Sequence, residues 1–137
     1  MAKVLIIDDE ESIITYLTTV LDDHGYTALS ALDADEGARI ARRELPDVIC
    51  MDIMMPKRSG LNLYQEFKHD AALSDIPVMF ISAFTQVRDL RDPVAFRKMI
   101  SDPEVPQPEC CMEKPIRVAA FIEAVEELVQ KRHQTPP

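Results

Sequence analysis

Short apolar runs alternate with longer amphipathic stretches along the chain, and the alternation recurs five times. Val4-Leu5-Ile6-Ile7 is a β-branched run that predicts a buried strand. Ile13, Ile14, Leu17, Val20 and Leu21 follow at helical spacing, with Gly25 as the stop. Tyr26 to Ala31 predicts a second strand. Ala34 to Glu44 predicts a helix that turns Ala38, Ile40 and Ala41 inward and ends before Pro46. Val48 to Met51 is the third strand, and a loop with Pro56 and Gly60 leads into a helix from Leu61 to His69. Val78 to Ile81 is the fourth strand. A helix is expected between Gln86 and Ile100, started or interrupted at Pro93. Asp102 to Pro108 holds three prolines and reads as a loop. Cys110 to Glu113 is the fifth strand. Val118, Phe121, Ile122, Val125, Leu128 and Val129 mark one face of a closing helix. Residues 1–132 are thus read as one domain and 133–137 as a disordered tail.

Strands that are apolar throughout are buried on both faces, which implies a parallel sheet with helices on each side. Right-handed crossovers make such a sheet doubly wound. Ligands of these sheets bind outside the carboxyl ends of the strands, so the polar residues just past each strand carry the functional question.

Composition narrows the classes. The net charge of −9 argues against direct nucleic-acid binding and against an anionic membrane surface. The three cysteines, an odd and sparse set, point to a reducing cytosol, as does the lack of an export signal. No stretch approaches the roughly 20 apolar residues of a membrane helix. The expected location is cytoplasmic.

Four strands end in residues that bear chemistry. The first ends in Asp8-Asp9-Glu10, the third in Asp52, the fourth in Ser82 and the fifth in Lys114-Pro115. On a parallel sheet these carboxylates, a hydroxyl and an ammonium converge at one edge. Clustered carboxylates repel one another, and a hard divalent cation resolves the repulsion. Mg²⁺ there would leave Asp52 ionised and able to attack phosphorus, giving an acyl phosphate. The metal, Lys114 and Ser82 would then hold the phosphoryl oxygens.

These residues together, with Met54-Met55-Pro56 and Gly60 after Asp52 and Ala83 after Ser82, resemble the receiver-domain signature of two-component response regulators. The resemblance covers nearly the whole chain. It implies a flavodoxin-like (βα)5 fold with strand order 2-1-3-4-5. It implies that Asp52 is the phospho-acceptor, that Asp9 ligates Mg²⁺ directly and Asp8 through water, and that the Met54 carbonyl also binds the metal. It makes Ser82 the switch hydroxyl and Lys114 the phosphoryl contact, with a cis Lys114-Pro115 bond. The implied partners are a sensor histidine kinase or a histidine phosphotransfer protein, an unknown downstream protein and, as an option, a second copy of the chain. The chain is read as a signalling domain, stand-alone or excised, and not as an enzyme with an external substrate.

Taken singly, each residue has an ordinary reading: Asp8 and Asp9 as helix caps, Lys114 as a surface lysine. The joint pattern at four strand ends reverses this. Cys50, Cys110 and Cys111 read as inert strand residues, the last two on opposite faces. His24, His69 and His133 lack ligand spacing and read as surface residues.

Three features depart from the family. Cys111 stands where an aromatic residue normally sits, three positions before the lysine. The 32 residues from Ser82 to Lys114 exceed the usual spacing by roughly ten. Met54 and Phe84 occupy flanking positions that are often polar, and their bulk predicts a long-lived phospho-Asp52. The alternatives are a phosphorylation-independent interaction module, favoured by Cys111 and the long loop, and a haloacid-dehalogenase-type phosphatase. The phosphatase would need an Asp-x-Asp pattern after the first strand. An FMN carrier is set aside, because Asp8-Asp9-Glu10 would repel a phosphate without metal.

Overall fold

A computed structural model describes residues 1–134. In chain order its elements are β1 (Lys3–Ile7), α1 (Glu11–Asp23), β2 (Thr27–Ala31), α2 (Ala34–Glu44), β3 (Val48–Met51) and α3 (Gly60–Lys68). Then come β4 (Val78–Ser82), α4 (Phe84–Arg91), α5 (Pro93–Met99), β5 (Cys110–Glu113) and α6 (Val118–Gln134). The strands form one parallel sheet in the order β2-β1-β3-β4-β5, the flavodoxin-like doubly wound arrangement.

The period of two along each strand sorts the core into two layers. Leu5, Ile7, Ile49, Met51, Val78 and Phe80 face the cluster that takes in α2, α3, α4 and α5. Val4, Ile6, Val48, Cys50, Met79 and Ile81 face the cluster of α1 and α6. Cys111 belongs to the first layer and Cys110 packs on the second, on opposite faces as expected.

Local chemistry sets the helix ends. Asp33 caps α2 by accepting from the Glu36 N–H at 2.8 Å. Leu45 closes that helix in the left-handed region, φ 47°, just before Pro46. After α1, Gly25 has φ 84°, a conformation that suits glycine.

The region after β4 differs from the single helix expected between Gln86 and Ile100. It holds two helices, and the first begins earlier, at Phe84. Asp92 leaves helical geometry and caps α5, accepting from the Val94 N–H at 3.2 Å, with Pro93 in the first turn where no N–H is needed. The proline-rich segment 102–108 is a packed strap. Val105 is fully buried and joins the cluster containing Tyr64, Phe67 and Phe96. The Tyr64 hydroxyl donates to the Pro106 carbonyl at 2.7 Å. Gln107 Nε2 donates to the Leu90 and Arg91 carbonyls, each at 3.1 Å. His69 Nε2 lies 2.6 Å from Asp102 Oδ2.

α6 continues through His133 and Gln134, beyond the boundary placed at residue 132; the rest of the expected tail, 135–137, lies outside the described residues. No helix among the described residues is long and apolar enough to cross a membrane.

The strap hangs on few polar contacts, so its hydrogen bond from Tyr64 is testable. Tyr64→Phe leaves the Pro106 carbonyl without its donor and should lower unfolding free energy by about 1–2 kcal/mol. Chemical denaturation checks this, and an unchanged midpoint would mean that water replaces the phenol freely.

Candidate functional site

The sheet ladder runs one residue past the strands and carries the site with it. The Asp8 N–H donates to the Ala31 carbonyl at 3.1 Å, and the Asp52 N–H to the Ile7 carbonyl at 3.1 Å. The Lys114 N–H donates to the Ser82 carbonyl at 2.9 Å. Four strand ends are therefore fixed side by side before any side chain is considered. Asp8, Asp52 and Ser82 are the buried polar or charged residues among those described, at 2%, 6% and 1% exposure. All three lie at the carboxyl ends of β1, β3 and β4. Buried polar groups are costly unless partnered, so a site is the natural explanation.

The partners are present. Lys114 Nζ lies 3.2 Å from Asp52 Oδ2, 3.4 Å from Asp8 Oδ2 and 3.6 Å from Glu10 Oε1. Asp52 Oδ1 is 3.0 Å from Ser82 Oγ and accepts from the Met54 N–H at 3.3 Å. Asp8 Oδ1 accepts from the Glu10 N–H at 2.9 Å. Burial raises the pKa of Asp8 above the usual carboxylate value, opposed by the Glu10 N–H and the Lys114 charge, while the Asp52 charge adds to the rise. For Lys114 burial pulls downward, but the Asp52 and Asp8 carboxylates outweigh it and its pKa is raised.

Asp8, Asp52, Ser82 and Lys114 thus meet, each from a different strand end. Asp9 does not join them: it is exposed, and the group whose carboxylate oxygens lie within 4.8 Å of one another is Asp8, Glu10 and Asp52. The chain bends at Asp9, and Glu10, exposed as well, reaches Lys114 from the cap position of α1. Glu10 itself is in extended conformation. Its place just past the first strand, in the run Asp8-Asp9-Glu10, was the available signal for Glu10, to which the sequence assigned no role.

All three acids offer oxygen, the donor type that a hard cation such as Mg²⁺ prefers, and no sulfur or imidazole lies in the group. The donor set fits that ion. Met54 and Phe84 follow Asp52 and Ser82 by two residues and are 64% and 58% exposed. The Lys114-Pro115 bond is cis. Burial pushes the Cys111 thiol up to about 11, which suits an inert residue. His24, His69 and His133 are exposed. A second group, His69, Asp102 and Glu104, lies at the surface where the strap meets α3, and its atoms already pair with one another.

Comparison with known proteins gives one answer. The family described as response regulator receiver domain matches residues 4–97. PilH of Pseudomonas aeruginosa is 38% identical over 89 residues, covering 65% of this chain and 74% of that protein. The probable transcriptional regulator ycf27 of Guillardia theta is 34% identical over 133 residues, covering 97% of this chain and 50% of that protein. The chain therefore spans half the length of that second relative. A response regulator receiver domain protein from Clostridium thermocellum has the same fold, with a TM-score of 0.80 at 23% identity, over 97% of this chain and 98% of that one.

Gly60 shows how tightly the acid site is set. A Cβ there would lie 2.1 Å from the Asp52 carbonyl oxygen and 3.1 Å from the Ile53 Cα. The Gly60 N–H donates to the Ile53 carbonyl at 2.8 Å. Gly60→Ala should displace the Asp52-Ile53 peptide and lower stability by about 1–3 kcal/mol. A thermal melt coinciding with the parent's would show that the approach is slack.

Proposed function

The chain belongs to the response regulator receiver domain family, and on that premise we propose that it takes a phosphoryl group onto Asp52 from a phosphohistidine and alters its partner binding in consequence. Receiver domains interact with histidine kinases and with downstream effectors. The observation that carries the proposal is the pairing of a buried carboxylate, Asp52, with the Lys114 ammonium at 3.2 Å and the Ser82 hydroxyl at 3.0 Å, beside two further acids.

In the transfer, an Asp52 carboxylate oxygen forms a bond to phosphorus while the phosphorus–nitrogen bond of the donor breaks. The electron pair of that bond stays on the leaving imidazole, which becomes neutral by keeping its pair and its one ring proton. Lys114 stands where it can follow charge from the carboxylate to the transferred oxygens. Ser82 offers a hydroxyl donor from the other side. Phosphoryl transfer needs little covalent help from the protein; placement and neutralised charge supply most of the acceleration. Asp8, Glu10 and Asp52 would hold Mg²⁺, with the Met54 backbone lying against the Asp52 carboxylate. Bound there, the ion supplies positive charge to the acids and to the phosphoryl oxygens.

Incubation with acetyl phosphate and Mg²⁺, read by mass spectrometry of the intact chain, tests this. One phosphoryl group should add, and Asp52→Asn or removal of Mg²⁺ with a chelator should abolish it. An unmodified parent chain would instead favour an interaction module that works without phosphate. That reading draws on the buried cysteine at position 111 and on the packed strap.

Met54 and Phe84 bring bulk to the rim of the site, where water must enter to hydrolyse the acyl phosphate. Keeping water from a reactive intermediate lengthens its life. The phospho-form should last well beyond seconds, and replacing both side chains with alanine should shorten its half-life about tenfold, a barrier change of about 1.4 kcal/mol. A decay time unmoved by the double substitution would sink the idea.

A further inference from the structure

Besides the acid site, the described residues hold one further group of three ligand-bearing side chains, His69, Asp102 and Glu104, with atoms within 4.8 Å of one another. They come from two segments. His69 is the cap residue that ends α3, and Asp102 and Glu104 open the proline-rich strap. His69 Nε2 lies 2.6 Å from Asp102 Oδ2, and His69 Nδ1 lies 3.7 Å from Glu104 Oε2. Asp102 is held in place: its Oδ1 accepts from the Glu104 N–H at 2.9 Å, which leaves Oδ2 to face the imidazole. The Glu104 N–H, and after it the His69 ring, lower the pKa of Asp102 below the usual carboxylate value, so this acid is ionised at neutral pH.

The donor set differs from that of the acid site. Asp8, Glu10 and Asp52 offer oxygen alone, whereas this group offers an imidazole nitrogen and two carboxylates. That mixture suits zinc and neighbouring divalent transition ions better than Mg²⁺. The surroundings favour a cation, because two ionised carboxylates meet the carbonyl end of α3, which carries partial negative charge. The nearby Arg97 guanidinium does not answer them: its NH1 donates to the Asp102 carbonyl at 2.5 Å and the Ile100 carbonyl at 3.5 Å. An ion between His69 Nε2 and Asp102 Oδ2 sets those atoms about 3.4 Å apart, from bonds of about 2.1 Å at a tetrahedral angle. They need to part by less than about 1 Å. The Glu104 side chain is 78% exposed, with room to turn its carboxylate inward as the third ligand, and water takes the fourth position.

We propose that His69, Asp102 and Glu104 bind a divalent transition ion of the zinc class, which ties the strap to the end of α3. The site is independent of the role assigned to Asp52. On binding, His69 ligates through the Nε2 lone pair and keeps its ring proton on Nδ1. The bridge closes on a segment whose other ties to α3 are the Tyr64 hydrogen bond to Pro106 at 2.7 Å and the packing of buried Val105. The same segment holds the carboxyl end of α4, because Gln107 donates to the Leu90 and Arg91 carbonyls. An ion in the strap therefore bears on the helix that follows Ser82.

A zinc titration of the full chain near neutral pH, in excess Mg²⁺ and followed by NMR, tests the site. The His69 ring signals should shift and saturate below about 1 mM zinc, ahead of those of His24 and His133. His69→Gln and Glu104→Gln should each weaken binding at least about tenfold, with the rest of the spectrum reporting that the fold is intact. The Val105 N–H donates to the Asp102 carbonyl at 3.2 Å. Its exchange with solvent should slow on adding zinc to the parent and be indifferent to zinc in His69→Gln. Three results would each overturn the proposal: zinc that perturbs Asp8, Glu10 and Asp52 but not His69, an affinity unchanged in His69→Gln, or no saturation by about 1 mM.

Discussion

Three carboxylates whose oxygens lie within 4.8 Å of one another, two of them on buried residues, repel strongly in a medium less polar than water. One ammonium, Lys114, faces all three. Its charge leaves the group at a net −2 when every acid is ionised. Burial and the charge of Asp52 both raise the pKa of Asp8, and the acids raise that of Lys114, so the group keeps its lysine charged and asks for more positive charge. A divalent cation supplies it without a proton. The parallel sheet is the device that makes this concentration possible, because its ladder brings Asp8, Asp52, Ser82 and Lys114 to one edge by backbone hydrogen bonds alone.

Much of this is legible in the sequence for a physical reason. Strands buried on both faces must be apolar throughout, so Val4 to Ile7, Val48 to Met51 and Val78 to Ile81 stand out against the amphipathic helices between them. Once those runs are placed, the polar residue that ends each one is also placed. Asp52 and Lys114 are 62 positions apart in sequence and 3.2 Å apart in space, and their meeting follows from the strand order. The run Asp8-Asp9-Glu10 alone does not show which acids lie together: Asp8 is buried, Asp9 and Glu10 are exposed, and the Glu10 oxygen is the one within 4.8 Å of those of Asp8 and Asp52.

The strap was harder to read because its order comes from distant partners. Three prolines between residues 102 and 108 read as an irregular loop, and the segment has no regular structure of its own. Its Val105 is nevertheless buried, and its ties run to α3 through Tyr64 and His69 and to α4 through Gln107. Contacts of that kind leave no local periodicity. The split of the fourth helix, by contrast, was marked by Pro93, with Asp92 serving as both the end of α4 and the cap of α5.

A change of partner affinity requires an element with two arrangements that the phosphoryl group biases unequally. The sheet offers none, since its strands are packed on both faces. The carboxyl end of α4 is clamped by Gln107 and Arg91, and Cys111 is a small buried residue without the reach of an aromatic ring. The amino end of α4 adjoins Ser82, whose Oγ lies 3.0 Å from Asp52 Oδ1. Exchange of one hydrogen bond there is worth about 1–1.5 kcal/mol, a shift of about tenfold in population. A swing from 1:99 to 99:1 needs about 5.5 kcal/mol. On the proposed reading of Asp52, phosphorylation alone would therefore tilt such an equilibrium, and a partner that prefers the shifted arrangement must supply the remaining free energy through its own contacts.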